Sequence, residues 1–194
     1  MKLEKLLRNV PVTTCTAARE LEITGVCYDS RQVRPGDLFV AVPGFAADGH
    51  RFIPDVFAKG ALGVVCEKEP ESLPGPCIVV EDSFEALKQI GEFYRQQLPV
   101  KVVGITGSVG KTSTKEFVAA VLAMKYKVHK TLGNYNNEVG VPLTVLSMPE
   151  DTEVAVLEMG INHFGEMHNL SRIARPDICI MTNIGQCHLE FLGS

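Results

Sequence analysis

The 194-residue sequence has no uninterrupted apolar run of 18 residues, so no segment qualifies as a membrane-spanning helix. It has no excess of positive charge. Nineteen Lys and Arg against 23 Asp and Glu leave a net charge of −4, which argues against nucleic acid held by a broad electrostatic field. An anionic ligand must instead be met by local basic residues and backbone N–H groups. The six cysteines (Cys15, Cys27, Cys66, Cys77, Cys179 and Cys187) form no C-x-x-C pair, and most stand in or beside apolar runs. That pattern suits buried or free thiols in a reducing cytoplasm better than a disulfide framework or a zinc site. No internal repeat or low-complexity tract is present. The amino-terminal "MKLEKLLRNV" interleaves charges with its leucines, unlike the apolar core of a signal peptide, and reads as a first amphipathic helix.

What is present is ordinary for a soluble globular chain, with 45% hydrophobic and 22% charged residues. The first hundred residues mix short strands and helices. "GVCYDSR" and "GDLFVAVPG" predict strands, with Pro35-Gly36 as the turn between them. "HRFIPDVFAKG" predicts a helix closed by Gly60 whose regular part begins late because of Pro54. "ALGVVCEKE" and "PCIVVED" predict further strands. "DSFEALKQIGEFYRQQ" predicts a helix, with Asp82 and Glu85 at capping-box spacing and Phe84, Leu87, Ile90 and Tyr94 on one face.

Residues 98–100, "LPV", read as a linker between domains at 1–98 and 99–194. Beyond it the order is strand, glycine loop, helix, and then candidate strands "KVHK", "EVAVLEM" and "DICIMTN" separated by helical stretches from 141 and 166. Near-continuous apolar strands alternating with helices predict a parallel α/β sheet. Three or four strands are few for such a sheet, so the chain reads as the amino-terminal portion of a longer protein.

The loop "GITGSVGKTSTK" decides the chemistry. The strict phosphate-loop pattern G-x-x-x-x-G-K-S/T would put its first glycine at position 105, which is Ile105. The physics survives that mismatch. Gly107 and Gly110 let backbone N–H groups turn toward an anion at a helix start, where the helix dipole favours negative charge. Lys111 can reach β- and γ-phosphates, and Thr112 offers a hydroxyl to a metal. Bare G-K-T tripeptides are common in ordinary turns, but here strand, loop and helix come in the required order.

Ligands of open α/β sheets bind beyond the carboxyl ends of the strands. Glu158 is the one acid inside the apolar run "EVAVLEMG", and a carboxylate there needs a partner or a metal. His188 follows the last candidate strand in the same kind of place. His163 and His168, five apart, suit neither a helix face nor a zinc pattern. The polar loop "GNYNNEVGVP" at 133–142 follows the second candidate strand of its domain and falls near the nucleotide.

At the level of longer motifs the chain resembles the Mur ligases of peptidoglycan synthesis. The resemblance covers essentially the whole sequence. It rests on "DSRQVRPGDLFVAVPG" and "DGHRF", then on "TGSVGKTSTKE", "TLGNYNNEVGVPLT", "VLEMGINHFGEM" and "TNIGQCHLEFLGS". The asparagine-rich loop is most like the type that joins D-alanyl-D-alanine to UDP-N-acetylmuramoyl-tripeptide. The resemblance implies a small mixed α/β substrate domain followed by the first part of a parallel-sheet ATPase domain. It implies ATP and Mg²⁺ as cofactors, an acyl-phosphate intermediate, and a step on which cell shape and division depend. It also implies a monomer when full length, with no nucleic-acid partner.

Residue by residue, it implies that Thr106, Gly107, Ser108, Val109, Gly110, Lys111, Thr112 and Ser113 form the ATP cradle, with Asn134 and Asn137 against the phosphates. Thr112 and Glu158 would ligate magnesium and His188 a second magnesium, so that Lys111, Glu158 and His188 carry the chemistry. Ser30, Arg31, Asp48, Gly49 and His50 would hold the UDP part of the substrate. The family's carbamylated lysine, the rest of its ATPase domain and its carboxy-terminal domain would follow the last residue here, so the fragment alone is expected to be inactive. Other Mur ligases and folylpolyglutamate synthases are competing readings, against which the 133–142 loop argues. A nucleotide-binding module without catalysis is a third.

Overall fold

Short runs of β-branched and small apolar residues, bounded by Gly, Pro and Asp, set the strands of both halves of the chain. In the computed structural model, residues 1–18, 20–44, 48–69 and 74–185 are described. The chain divides into two compact units, Met1–Phe93 and Tyr94–Ser194.

The first unit is built on five strands: β1 (Val12–Cys15), β2 (Gly25–Cys27), β3 (Asp37–Val40), β4 (Gly63–Cys66) and β5 (Cys77–Val80). Their order is β1-β5-β4-β3-β2, with β1 antiparallel to β5 and the other pairs parallel. Parallel β2 and β3 cannot form a hairpin, so Pro35-Gly36 is the end of a crossover and not the tight turn the sequence suggests. Strand β1 had no sequence signal because its residues are mostly exposed and show no apolar alternation.

The amino-terminal helix, α1 (Leu3–Leu6), is a single turn. Leu3 and Leu6 are buried as an amphipathic helix requires, but the chain start is tied down elsewhere. The Met1 ammonium donates to the Ile23 carbonyl (2.8 Å), and the Ile23 N–H donates to the Met1 carbonyl (2.7 Å). Around Pro54 the chain makes a 3₁₀ turn over Gly49–Phe52 before α2 (Ile53–Ala58), the late start Pro54 predicts. A core of Phe39, Ala41, Ile53, Val56, Val64, Cys66 and Cys77 lies between α2 and the sheet. All five described cysteines are free. Cys66 and Cys77 are buried with their sulfurs 2.8 Å apart, and the shared hydrogen bond together with burial pushes the Cys66 thiol up.

Helix α3 (Ser83–Gln97) carries Leu87 and Ile90 on its buried face. Half of its capping box forms: the Glu85 N–H donates to Asp82 Oδ1 (2.9 Å), while the Glu85 side chain pairs with Lys88.

The second unit has strands β6 (Lys101–Thr106), β7 (Val128–Lys130), β8 (Val154–Glu158) and β9 (Ile178–Met181), in the order β7-β8-β6-β9 and all parallel. The connecting helices are α4 (Lys111–Ala123), α5 (Gly140–Leu146) and α6 (Glu166–Ala174). Alternate residues face opposite ways along each strand. Val102, Ala155 and Leu157 join Val141, Val145, Leu170 and Ile173 in one core, on the side of α5 and α6. Val103, Ile105, Val154 and Val156 join Ala119, Val118 and Leu122 in another, on the side of α4. The sheet is therefore covered on both faces, and its strand ends are where polar side chains can meet.

Arg95 is buried at the other end of this sheet and is spent on structure. Its guanidinium donates to the carbonyls of Ala174 (2.9 Å), Leu98 (3.1 Å) and Val100 (3.0 Å).

Candidate nucleotide-binding site

Strand β6 feeds directly into the glycine loop and the loop into α4, so the loop must reverse the chain within four residues. Gly107 at φ 133° and Gly110 at φ 82° make that possible. Gly107 is also required by its neighbour, because a Cβ there would lie 2.2 Å from Thr182 Oγ1.

The segment after β9 clamps the loop. The Ser108 N–H donates to the Asn183 carbonyl (3.2 Å) and the Val109 N–H to Asn183 Oδ1 (3.0 Å). Thr182 Oγ1 donates to the Val109 carbonyl (2.6 Å), and Ser108 Oγ exchanges hydrogen bonds with the backbone of Gly185. Lys111 Nζ donates to the Gly107 carbonyl (2.7 Å), which closes the loop onto its own first glycine.

Beside the loop, at the end of β8, Glu158 is 2% exposed. Its N–H donates to Thr131 Oγ1 (2.9 Å). One carboxylate oxygen, Oε1, accepts from Asn136 Nδ2 (2.8 Å) and Thr112 Oγ1 (3.3 Å). The other, Oε2, accepts no hydrogen bond among the described residues and lies 3.8 Å from the ammonium of Lys115, which is 1% exposed. A buried carboxylate with one oxygen doubly held and the other unshared is a costly arrangement for a merely structural residue. It suits a hard cation, which takes oxygen ligands. Thr106 Oγ1 is also buried without a hydrogen-bond partner among the described residues. Clusters of three or more His, Cys, Asp or Glu able to hold a metal are absent from the described residues. A cation here would therefore depend on Glu158, the Thr112 hydroxyl and oxygens brought by a nucleotide.

Thr106 to Ser113, Lys111, Thr112 and Glu158 thus come together around one loop. Asn137 is used locally: its Oδ1 accepts from the N–H groups of Gly140 (2.8 Å) and Val139 (3.2 Å) and caps α5. Asn134 is exposed, and its carbonyl accepts from the Asn136 N–H (2.7 Å). Asn136, between the two asparagines singled out from sequence, is the one that reaches Glu158. Its backbone adds a second tie, the Gly160 N–H donating to the Asn136 carbonyl (2.7 Å). Sequence reasoning also missed Lys115, Thr131, Thr182 and Asn183. Lys115 had a usable signal, since it lies three residues after Thr112 on the same helix face. His188 lies outside the described residues.

In the first unit, Ser30 and Arg31 follow β2, and Asp48, Gly49 and His50 follow β3. Both segments therefore lie beyond the carboxyl ends of adjacent parallel strands. The Arg31 guanidinium grips Asp29 with two bonds (2.9 and 2.7 Å) and holds its carboxyl well below the usual carboxylate range. Lys59 Nζ donates to the Ser30 carbonyl (2.6 Å). The Glu67 N–H donates to His50 Nε2 (2.9 Å), so the ring proton sits on Nδ1 and is donated to Asp48 Oδ1 (2.6 Å). Asp48 also accepts from the His50 N–H (3.0 Å), and that bond, with the ring, lowers its pKa. Gly49 is pressed against β3's exit, where a Cβ would meet the Val42 carbonyl at 2.8 Å.

Two domain families match this chain. Residues 22–108 match the family described as "Mur ligase family, catalytic domain", and residues 105–194 match the "Mur ligase middle domain". The chain belongs to the Mur ligases. Among curated Mur ligases, the Bacillus subtilis (strain 168) UDP-N-acetylmuramoyl-tripeptide–D-alanyl-D-alanine ligase is 46% identical over 177 residues, covering 89% of this chain and 38% of that one. The crystal structure of MurF from Acinetobacter baumannii superposes with a TM-score of 0.92 at 33% identity, covering 100% of this chain and 43% of that one. MurF ligase from Thermotoga maritima, solved in complex with ADP, superposes with a TM-score of 0.82 at 37% identity, covering 91% of this chain and 41% of that one. The chain spans less than half the length of each of these Mur ligases.

Proposed function

We propose that the full-length protein is an ATP-dependent amide ligase that adds D-alanyl-D-alanine to UDP-N-acetylmuramoyl-tripeptide in cytoplasmic peptidoglycan synthesis. The observation that carries this reading is the buried Glu158 carboxylate, with one unshared oxygen, set beside a glycine loop that ends in Lys111 and Thr112. The names of the similar ligases supply the substrates.

With the Ser108 and Val109 amides held by Asn183, the backbone N–H groups at the start of α4 receive the phosphate oxygens of ATP. Lys111 exchanges its bond to the Gly107 carbonyl for the β- and γ-phosphates, where negative charge gathers during transfer. Thr112 Oγ1 and Glu158 Oε2 would hold a magnesium ion and His188 would serve a second. The chemistry supplied there would be neutralisation of the crowded phosphate oxygens. Asn136 holds Glu158 in place through Oε1 and leaves Oε2 to the ion.

In the reaction, the tripeptide carboxylate attacks the γ-phosphorus and ADP leaves. The amino group of the dipeptide then attacks the acyl phosphate, forming the amide and expelling phosphate. Residues 1–98 hold the UDP part of the substrate and residues 99–194 begin the ATPase domain. Arg31 and the backbone of 48–50 face the UDP part. His50, with both ring nitrogens spent inside the protein, keeps that segment in place.

Phosphate release by the full-length enzyme tests the reading. It should require both D-alanyl-D-alanine and a UDP-tripeptide, with the lysine and diaminopimelate forms compared side by side. Release that ignores the dipeptide would refute it. Residues 1–194 alone should bind the UDP-substrate without ATP and form no peptide product.

A further inference from the structure

The buried residues of α4 are Lys115 and Ala119, four residues apart, with exposed Thr112 one turn earlier on the same face, toward β8 and Glu158. At the middle position an apolar residue would pack; instead there is an ammonium, as buried as the carboxylate it faces. Lys115 Nζ is 3.2 Å from Glu116 Oε1 and 3.8 Å from Glu158 Oε2. Glu116 is shared with Lys130, which draws its charge outward toward solvent. Glu158 therefore depends on Lys115 for charge compensation, and the two sit too far apart for a hydrogen bond. The unshared oxygen that suits a divalent cation thus already faces a fixed positive charge. A cation arriving alone meets that charge at short range. A cation arriving with a polyphosphate brings several compensating negative charges.

We propose that Lys115 is the resident counter-charge of Glu158 and makes divalent-cation binding conditional on the nucleotide. It is a positioning and specificity residue for the proposed reaction, and the inference rests on the reading of Glu158 as a cation ligand. The nucleotide-free site stays closed to free Mg²⁺, so the ion enters only as the metal–nucleotide complex and leaves with the product.

The test is a titration of the nucleotide-free 194-residue chain with Mn²⁺, followed by the electron paramagnetic resonance signal of the free aqua ion. Lys115→Met keeps the stem and removes the charge, and should bind Mn²⁺ at least about ten-fold more tightly than the wild type. Lys115→Arg keeps the charge and should stay weak. Adding Glu158→Gln to Lys115→Met should abolish the gain. Because Lys115→Met leaves Glu158 without its counter-charge, the variant should also melt lower, and Mn²⁺ should raise its melting temperature more than the wild type's. Lys115→Gln provides the same two readouts if the Met variant folds poorly. Binding no tighter in the neutral variants, or equally tightened in the Arg variant, overturns the counter-charge role. A gain that survives Glu158→Gln places the ion elsewhere and overturns the reading of Glu158 as its ligand, a separate failure.

Discussion

The two units treat their polar strand-end residues in opposite ways. Beyond β2 and β3 the groups are satisfied among themselves: Arg31 on Asp29, His50 between Asp48 and the Glu67 N–H. Beyond β6 and β8 the satisfaction is incomplete, with Glu158 Oε2 unshared, Thr106 Oγ1 unpaired among the described residues and Lys115 buried. The first segment is a preformed frame, and the second needs a ligand to complete it. A recognition surface works when its shape is fixed in advance. A phosphoryl-transfer site works when its charges are balanced only with substrate bound.

The largest effect is expected from Lys111→Ala in the full-length enzyme. Ligation should fall by about 10²-fold or more, since the charge acts where the phosphoryl group transfers. The fold should hold, because Lys111 makes one bond to its own loop. Activity within a few-fold of wild type, in a phosphate-release assay, would falsify the phosphate-loop assignment.

Next in size is the buried pair. Glu158→Ala leaves Lys115 only Glu116 as an acidic partner. In denaturant unfolding it should destabilise by less than the ~3–5 kcal/mol of a fully stranded buried charge, whereas Lys115→Met with Glu158→Leu should come within about 1 kcal/mol of wild type. Equal losses in both proteins would mean that packing, not charge, dominates the site.

A smaller effect separates neighbouring asparagines. Asn137→Ala removes the α5 cap and should cost about 1 kcal/mol, with nucleotide affinity little changed. Asn136→Ala should do the reverse, weakening Mg²⁺–ATP binding in calorimetry more than it lowers stability. Swapped outcomes would favour Asn137 as the asparagine that serves the nucleotide.

The smallest effect is a pH response confined to one unit. Burial lowers the pKa of His129, whose ring donates from Nε2 to the Thr144 carbonyl (3.0 Å). The unfolded chain then takes the proton more readily, so this stabilisation is complete above about 6.5 and declines as pH falls through that value, by at most about 1.4 kcal/mol per pH unit. In the first unit, Asp29 and Asp48 are depressed, so their contribution is lost only as pH falls below the ordinary carboxylate value of 3.8. Hydrogen exchange read by mass spectrometry at pH 7.5 and 5.5 should show the second unit loosening first. His129→Gln should flatten that difference.

The parts legible in sequence share a short-range cause. The β6–loop–α4 order, the late start of α2 at Pro54 and the Asp82 cap depend on residues a few positions apart, where local geometry decides. The parts that were not legible depend on partners far along the chain. Strand β1 exists because β5 offers it an edge, and its exposed residues leave no periodic trace. The choice of Asn136 over its neighbours depends on where β8 ends, 22 residues later.

A phosphate-type loop on a parallel α/β sheet was legible in the residues alone, because glycine placement and apolar runs act locally, and the longer motifs carried the resemblance to the Mur ligases. Folding in three dimensions was needed to set Lys115 against Glu158 across 3.8 Å, to clamp the loop with Asn183 and to spend His50 on the frame. Those facts follow from strand order and register, which bring residues 43, 74 and 17 positions apart into one place.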